Sequence, residues 1–300
     1  MSATSPTAVP ARPFRERIGP DPRSGHYAAP RRYRLHVSPS DPGCLLVAVT
    51  HGLLDLGEAL PLTVLPALPD TPDGGYTVLR PLYEAAAHRF TGPAAAPVLS
   101  DGWTGRIVSA HAPDILEDLV LRFAGDRGDA LHPPAARAES RAVAALCELG
   151  VHEAAQHAGE LGLGGDAVHR APLNTLLGAL DALERRLTGQ EYVLGGDTPS
   201  LADVRVWVTL LYLDTVHRWH LDADAVHRIA AHPSLWSYAR RLAAHPAFGT
   251  HLDVAAIAAR HHARCRGREA AGAAMPIVQW PVRPPLPPSR PATTTLNTPA

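Results

Sequence analysis

The fold is decided by one stretch of the chain, Tyr33-Arg-Leu-His-Val-Ser38, which is followed by Pro39-Ser-Asp-Pro-Gly-Cys44 and by an apolar run beginning at Leu45. The first segment alternates in polarity and predicts a strand, and the apolar run predicts a helix. Between them, Asp41 and Pro42 are residue types favoured at the N-cap and at the first position of a helix. The stretch therefore predicts a strand that turns directly into a helix, with Asp41 at the corner.

The start of such a helix has a definite chemistry. Its unpaired backbone N–H groups and the positive end of the helix dipole favour an anion, and they lower the pKa of a cysteine placed there. In this chain the position holds the carboxylate of Asp41, and the next sulfur, Cys44, follows one helical turn later. In a strand-to-helix unit of this kind we expect the Cys44 side chain to point into the interior. The stretch therefore says more about fold than about activity.

The composition argues against several classes of function. A chain of 300 residues is long enough for about two domains. Its formal net charge of −1 provides no clustered positive surface for nucleic acid. No apolar run reaches the roughly 18 residues of a spanning helix, and the first ten residues lack the apolar core of a secretory signal, so we expect a cytoplasmic protein without a membrane partner. Three widely separated cysteines predict reduced thiols.

The pattern of the chain changes between two low-complexity ends. Residues 1–31 and 283–300 are rich in Pro and cannot bury enough surface to offset the entropy of ordering, so we expect a flexible arm and a disordered tail. Residues 32–123 mix strand-like and helix-like runs, which indicates an α/β domain. Residues 124–138 have the composition of a linker, and residues 139–282 have helical spacing throughout. The fold class is therefore α/β followed by all-α.

Individual elements follow from the same patterns. We expect strands at residues 34–37, 60–65, 96–99 and 106–108, and helices at 45–54, 79–87 and 113–123. In the all-α region the clearest start signal is Ser200-Leu-Ala-Asp203, which places a hydroxyl at the N-cap and a carboxylate three residues later. This spacing predicts a capping box at the start of a long amphipathic helix.

The order of these elements, with Ala96-Pro97-Val98 entering a strand, resembles the cytosolic glutathione transferases. Finer motifs are similar to one branch, the glutathionyl-hydroquinone reductases or Xi class. The resemblance covers residues 14–280 and rests on Phe14-Arg-Glu-Arg-Ile18, Arg32-Tyr-Arg-Leu-His-Val-Ser38, Gly75-Tyr-x-x-Leu-Arg-x-Leu-Tyr83, Thr209-Leu-Leu-x-x-Asp-x-Val-x-x-x-His220, His232-Pro-Ser-Leu-Trp-Ser-Tyr238 and Asp253-x-x-x-Ile-x-x-Arg-His261. Several segments in compatible order are more specific than any single motif.

This resemblance implies a thioredoxin-like first domain, a glutathione-transferase helical bundle and a homodimer. It also implies glutathione or another low-molecular-weight thiol as co-substrate, and an aromatic, quinol-like ligand in the cleft between the domains. Pro97 stands at the position of the cis-proline of the fold, although a structural turn proline is an equally good interpretation. The positions that the resemblance assigns to thiol binding are Asp41, Ala96, Pro97, Val98, His111 and Ala112.

The chain departs from the family pattern where the chemistry is expected. The family carries Cys-Pro-Trp at the corner, which aligns with Asp41-Pro-Gly43, and a Glu-Ser pair that holds the γ-glutamyl end of glutathione, which aligns with His111-Ala112. Two family tyrosines align with His152 and His262. A carboxylate cannot form and resolve a mixed disulfide, and its charge disfavours a neighbouring thiolate. We therefore expect the thiol-transferase activity of the family to be lost or altered.

Three residues remain as candidates for catalysis: Cys44, His152 and His262. Cys44 is interpreted more simply as a packed, unreactive thiol. The two histidines would face the cleft, where imidazoles can replace phenols as hydrogen-bond partners or act as acid and base. Asp214-x-x-His217-x-x-His220 and His261-His262 suggest a metal, but no further ligand is identifiable from the sequence, so we expect none.

Two other functions stay open at this point. The chain could be a dimeric scaffold that has kept only the fold, or a transferase that uses a different small thiol recognised by His111. A solvent-accessible cleft lined by His152, His262 and Trp103 would favour ligand binding over a scaffold.

Overall fold

The structure is a computed structural model that describes residues 14–160, 167–265 and 275–281. It contains a sheet domain followed by a helical domain, as the sequence predicts. None of the helices in these ranges is both long enough and apolar enough to cross a membrane.

The sheet of the first domain has four strands in the order β2-β1-β3-β4. Their bounds are β1 Tyr33–Val37, β2 Leu62–Val64, β3 Val98–Asp101 and β4 Arg106–Ser109. β1 pairs in parallel with β2 and antiparallel with β3, and β3 pairs antiparallel with β4. Alternate β1 residues Tyr33, Leu35 and Val37 are buried, because successive side chains of a strand point to opposite faces. The four expected strands therefore all form, with small shifts of their ends.

Helices cover the sheet and build the second domain. Those of the first domain are α1 Pro42–Leu53, α2 Arg80–Ala86 and α3 Ala112–Asp118, and α3 continues into a π-helical turn, Leu119–Phe123. The others are α4 Arg127–Leu131, α5 Arg137–Ala145, α6 Ala154–Glu160, α7 Ala167–Leu187, α8 Leu201–Thr215, α9 Ala223–Ala230, α10 Pro233–Ala244, α11 Pro246–Gly249 and α12 Val254–Cys265. A π-helical turn, Leu146–Glu153, joins α5 to α6, and short 3₁₀ turns lie at Pro22–Ser24, Thr77–Leu79, Pro134–Ala136 and His217–His220. The predicted linker, 124–138, thus includes α4.

The N-terminal segment 14–31 packs on the sheet domain, contrary to the expectation that it buries little surface. Ile18 is buried in the core of that domain. Arg15 donates two hydrogen bonds to Asp114, at 2.7 and 2.9 Å, and these bonds hold the pKa of the Asp114 carboxyl below its usual value. The expectation is wrong for this segment because its arginines find carboxylates on α3. Residues 1–13 and the predicted tail lie outside the described residues.

The capping box at the start of α8 forms as predicted and extends further into the bundle. Ser200 accepts from the backbone N–H of Asp203, and Asp203 accepts from the backbone N–H of Ser200 at 2.7 Å. The fully buried Asp203 carboxylate also accepts from the backbone N–H of Val193 and from the hydroxyl of Tyr238, both at 2.8 Å. One side chain thus holds together α8, α10 and the loop before α8.

Replacing Asp203 by alanine is expected to lower the free energy of unfolding by about 3 kcal/mol or more, because each buried donor left without an acceptor costs about 1–3 kcal/mol. Ser200→Ala removes the cap and one of the donors to Asp203, and it is expected to cost less, about 1–2 kcal/mol. Urea unfolding followed by circular dichroism measures both. The exposed Asp197→Ala is the matched control and should change little; an Asp203→Ala variant as stable as this control would contradict the prediction.

Candidate functional site

Asp41 occupies the corner between β1 and α1 and is the N-cap of that helix. Its Oδ1 accepts a hydrogen bond from the backbone N–H of Cys44 at 3.0 Å. Pro42 follows at the first helical position, where its missing N–H costs nothing. The Asp41 side chain stays 21% exposed, so the carboxylate remains accessible at the helix N-terminus.

Arg260 of α12 reaches this corner from the helical domain. Its Nη2 lies 3.4 Å from Oδ2 of Asp41, and its Nη1 donates to the hydroxyls of Tyr76 at 3.2 Å and Ser40 at 3.3 Å. The guanidinium therefore joins the two domains at the Asp41 corner. Sequence reasoning did not include Arg260 among the site residues, although the Arg260-His261 pair was part of the resemblance.

Cys44 lies in the interior, as expected. Its side chain has no exposed surface and packs in the core of the sheet domain. Burial raises the pKa of the Cys44 thiol well above its ordinary value, and the nearby charge of Asp41 raises it further. A protonated and inaccessible thiol has neither property that a nucleophile needs. The geometry therefore gives no support to a catalytic role for Cys44.

The expected thiol-binding residues come together around Gly43. The Ala96–Pro97 peptide bond is cis, as the fold position of Pro97 suggested. A Cβ placed on Gly43 would lie 3.2 Å from Cβ of Ala112, 3.3 Å from Oδ1 of Asp41 and 3.9 Å from Cδ of Pro97. The start of α1, the start of α3 and the proline-bearing segment thus surround one point. Val98 is the first residue of β3 and its side chain is buried, so it can offer a ligand only its backbone.

The start of α3 carries the imidazole of His111 followed by the small side chain of Ala112. His111 is the N-cap of α3, and its Nδ1 lies 3.1 Å from Oδ1 of Asp114. Asp114 is also held by Arg15 of the N-terminal segment. His111 keeps 30% of its side chain exposed, so it can still meet a ligand. Ala112 supplies no side-chain donor beside it.

The two candidate histidines have their contacts within the helical domain. His152 Nδ1 is 3.0 Å from Nε2 of His217, and the exposed ring of His262 packs against Trp219 with centroids 5.5 Å apart. Trp103 is 64% exposed and lies against Arg32 at the turn between β3 and β4. None of these contacts joins Trp103 to either histidine.

Away from the Asp41 corner, a group of side chains in the described ranges could hold a metal ion. It consists of His220, His261 and Cys265, whose ligand atoms all lie within 4.8 Å of one another. Asp214, a ligand candidate from the sequence, is instead occupied: it accepts from Trp280 Nε1 at 2.9 Å and lies 3.1 Å from Nε of Arg218.

Comparisons with known proteins support the fold described above. Residues 166–241 match the family model of the glutathione S-transferase C-terminal domain, whereas no curated protein matches the sequence. The Xi class glutathione transferase from Natrialba magadii is 23% identical, with a TM-score of 0.72, over 86% of this chain and 83% of its own. A glutathione transferase from Gordonia bronchialis is 28% identical, with a TM-score of 0.69, over 83% and 81%.

A third similar structure is the glutathione-bound form of YqjG, a glutathione transferase homologue from Escherichia coli K-12. It is 23% identical, with a TM-score of 0.64, over 79% of this chain and 81% of its own. These matches confirm the resemblance at the level of the fold. The chain has the two-domain fold of the Xi-class glutathione transferases, and its helical region contains a glutathione S-transferase C-terminal domain.

Proposed function

We propose that this protein binds a small thiol, glutathione or a close analogue, at the corner formed by α1, α3 and Pro97, and that it does not carry out thiol exchange there. The observation that carries the proposal is the Asp41 carboxylate at the N-cap of α1, paired with Arg260, while Cys44 is buried behind it. The surrounding backbone of the fold is retained, including the cis bond at Pro97.

The chemistry of the corner follows from its charges. A carboxylate can accept a hydrogen bond from a thiol S–H, but it cannot form a mixed disulfide with it. Its negative charge disfavours a thiolate next to it. The one cation described at the corner, Arg260, already faces Asp41 at 3.4 Å. A bound thiol therefore stays protonated, and the corner binds without activating.

Two further features of the proposal come from the resemblance. An aromatic ligand would occupy the cleft between the domains, where the partly exposed His152 and the exposed His262 can exchange hydrogen bonds with a hydroxyl. The protein would act as a homodimer. The glutathione-bound structure of a protein with the same fold is consistent with a thiol ligand. If the protein binds neither a thiol nor a quinol, we expect it to act as a scaffold instead.

Glutathione is expected to bind the wild-type protein, and S-methylglutathione is expected to bind more weakly, because its methylated sulfur has no S–H to donate to Asp41. Isothermal titration measures both, and a thermal shift provides a check, since ligand at a hundredfold its Kd adds about 2.7 kcal/mol of stability. Turnover of a glutathionyl-hydroquinone should not exceed the rate without protein. Turnover that is lost in Asp41→Asn would overturn the proposal; no binding of any thiol or quinol would favour the scaffold.

The double variant Asp41→Cys/Cys44→Ala is expected to gain thiol exchange. It places a sulfur at the N-terminus of α1 within reach of Arg260, where the pKa of a thiol is lowered. Intact mass after treatment with glutathione disulfide should show one glutathionyl adduct per chain. The double variant Asp41→Ser/Cys44→Ala is the matched control. It should show no glutathionyl adduct beyond any that forms on Cys147 and Cys265. A folded double variant that binds glutathione without forming the adduct would show that the sulfur sits elsewhere.

Iodoacetamide at neutral pH is expected to label Cys265 first and Cys44 and Cys147 slowly. Cys265 is partly exposed, whereas both other thiols are buried, and burial raises the pKa of Cys147 to about 11. Peptide mass spectrometry over a time course measures the three rates. Labelling of Cys44 ahead of Cys265 would indicate a reactive thiol at the corner and contradict this assignment.

A further inference from the structure

A triad of soft and borderline ligands lies where α12 meets the turn after α8. Nε2 of His220 is 3.1 Å from Nε2 of His261, and Sγ of Cys265 is 3.1 Å from Nε2 of His261 and 3.4 Å from Nε2 of His220. Sγ also lies 3.4 Å from Nδ1 of His261. Three ligand atoms from two separate segments therefore converge on one point.

The spacing of these atoms is that of a tetrahedral metal site. With metal–nitrogen bonds of about 2.0–2.1 Å and a metal–sulfur bond of about 2.3 Å, tetrahedral geometry separates the ligand atoms by roughly 3.3–3.6 Å. The observed separations of 3.1–3.4 Å are a few tenths of an ångström shorter. Small side-chain movements would therefore admit an ion.

The fold positions each of the three side chains. His261 and Cys265 are four residues apart on α12, so they lie on the same face of the helix. His220 ends a 3₁₀ turn, and α6 packs so closely there that a Cβ on Gly159 would lie 2.7 Å from Cβ of His220. His261 is buried, while His220 and Cys265 are partly exposed, which gives an ion a way in from solvent.

We propose that His220, His261 and Cys265 form a binding site for a zinc-class divalent cation. Two imidazoles and a thiolate suit Zn²⁺ and its substitute Co²⁺, whereas Mg²⁺ and Ca²⁺ select oxygen ligands. Three protein ligands leave the fourth tetrahedral position to water. The site is separate from the Asp41 corner, and the proposal does not depend on thiol binding. The sequence alone suggested Asp214 as a ligand and set Cys265 aside as a lone thiol.

Titration of the full-length protein with Co²⁺ tests the site directly. The protein is reduced with a phosphine, because dithiols compete for the metal. We expect a thiolate-to-cobalt charge-transfer band in the near ultraviolet and intense visible bands of tetrahedral Co²⁺, both saturating at one ion per chain. Zn²⁺ should displace the cobalt, and its binding should release the Cys265 proton at neutral pH.

Variants separate this site from nonspecific binding by surface histidines. Cys265→Ser is expected to abolish the charge-transfer band, and His220→Gln to weaken Zn²⁺ binding by about tenfold or more. His227→Gln is the matched control, since His227 is an exposed histidine of α9 that does not belong to the triad. Circular dichroism confirms folding, and His220→Gln serves if Cys265→Ser does not fold. No band in the wild type, a band that survives Cys265→Ser, or one that is lost in His227→Gln would each overturn the proposal.

Discussion

Helix α1 is the element on which the rest of the structure depends, because its two faces belong to two different cores. Cys44 and Val47 pack with the sheet, whereas Leu45 and Val49 pack with the helical domain. The hydroxyl of Tyr212 on α8 adds a hydrogen bond of 2.8 Å to the carbonyl of Ser40, just before the helix begins. The corner that carries Asp41 is therefore fixed from both domains at once.

This constraint holds the start of α1 in place around a charged side chain. The N-terminus of α1 favours an anion there whatever atom carries the charge. A carboxylate meets that requirement, caps the helix through Cys44 N–H, and pairs with Arg260. Asp41 thus fills the electrostatic role of the position, although a carboxylate cannot carry out sulfur chemistry.

Adjacent residues of helix α12 contact two different parts of the molecule. Arg260 points to the Asp41 corner, and His261, one residue later, contacts His220. Successive residues of a helix lie about 100° apart, so one helix can serve both without conflict. Segment 275–281 packs against the end of α8. There the buried Asp214 carboxylate accepts hydrogen bonds from the backbone N–H groups of Ile277 and Val278.

Local sequence patterns were sufficient to predict several elements of this structure. The alternation in β1, the cap signal at Asp41-Pro42 and the capping box at Ser200-Leu-Ala-Asp203 each depend on residues close in sequence, and each formed as predicted. The inward position of Cys44 was expected from the resemblance to the thioredoxin-like fold, and it is observed. The packing of residues 14–31 did not, because the carboxylates that its arginines meet lie about a hundred residues away.

The sequence by itself determined the two-domain architecture and placed a carboxylate, Asp41, at the start of the first helix. Only the tertiary structure decided what surrounds that carboxylate and which side chains meet elsewhere. Arg260 reaches Ser40 across 220 residues, and His220 meets Cys265 across 45. Periodicity reports which face of an element is apolar, but it carries no information about which distant element that face will meet.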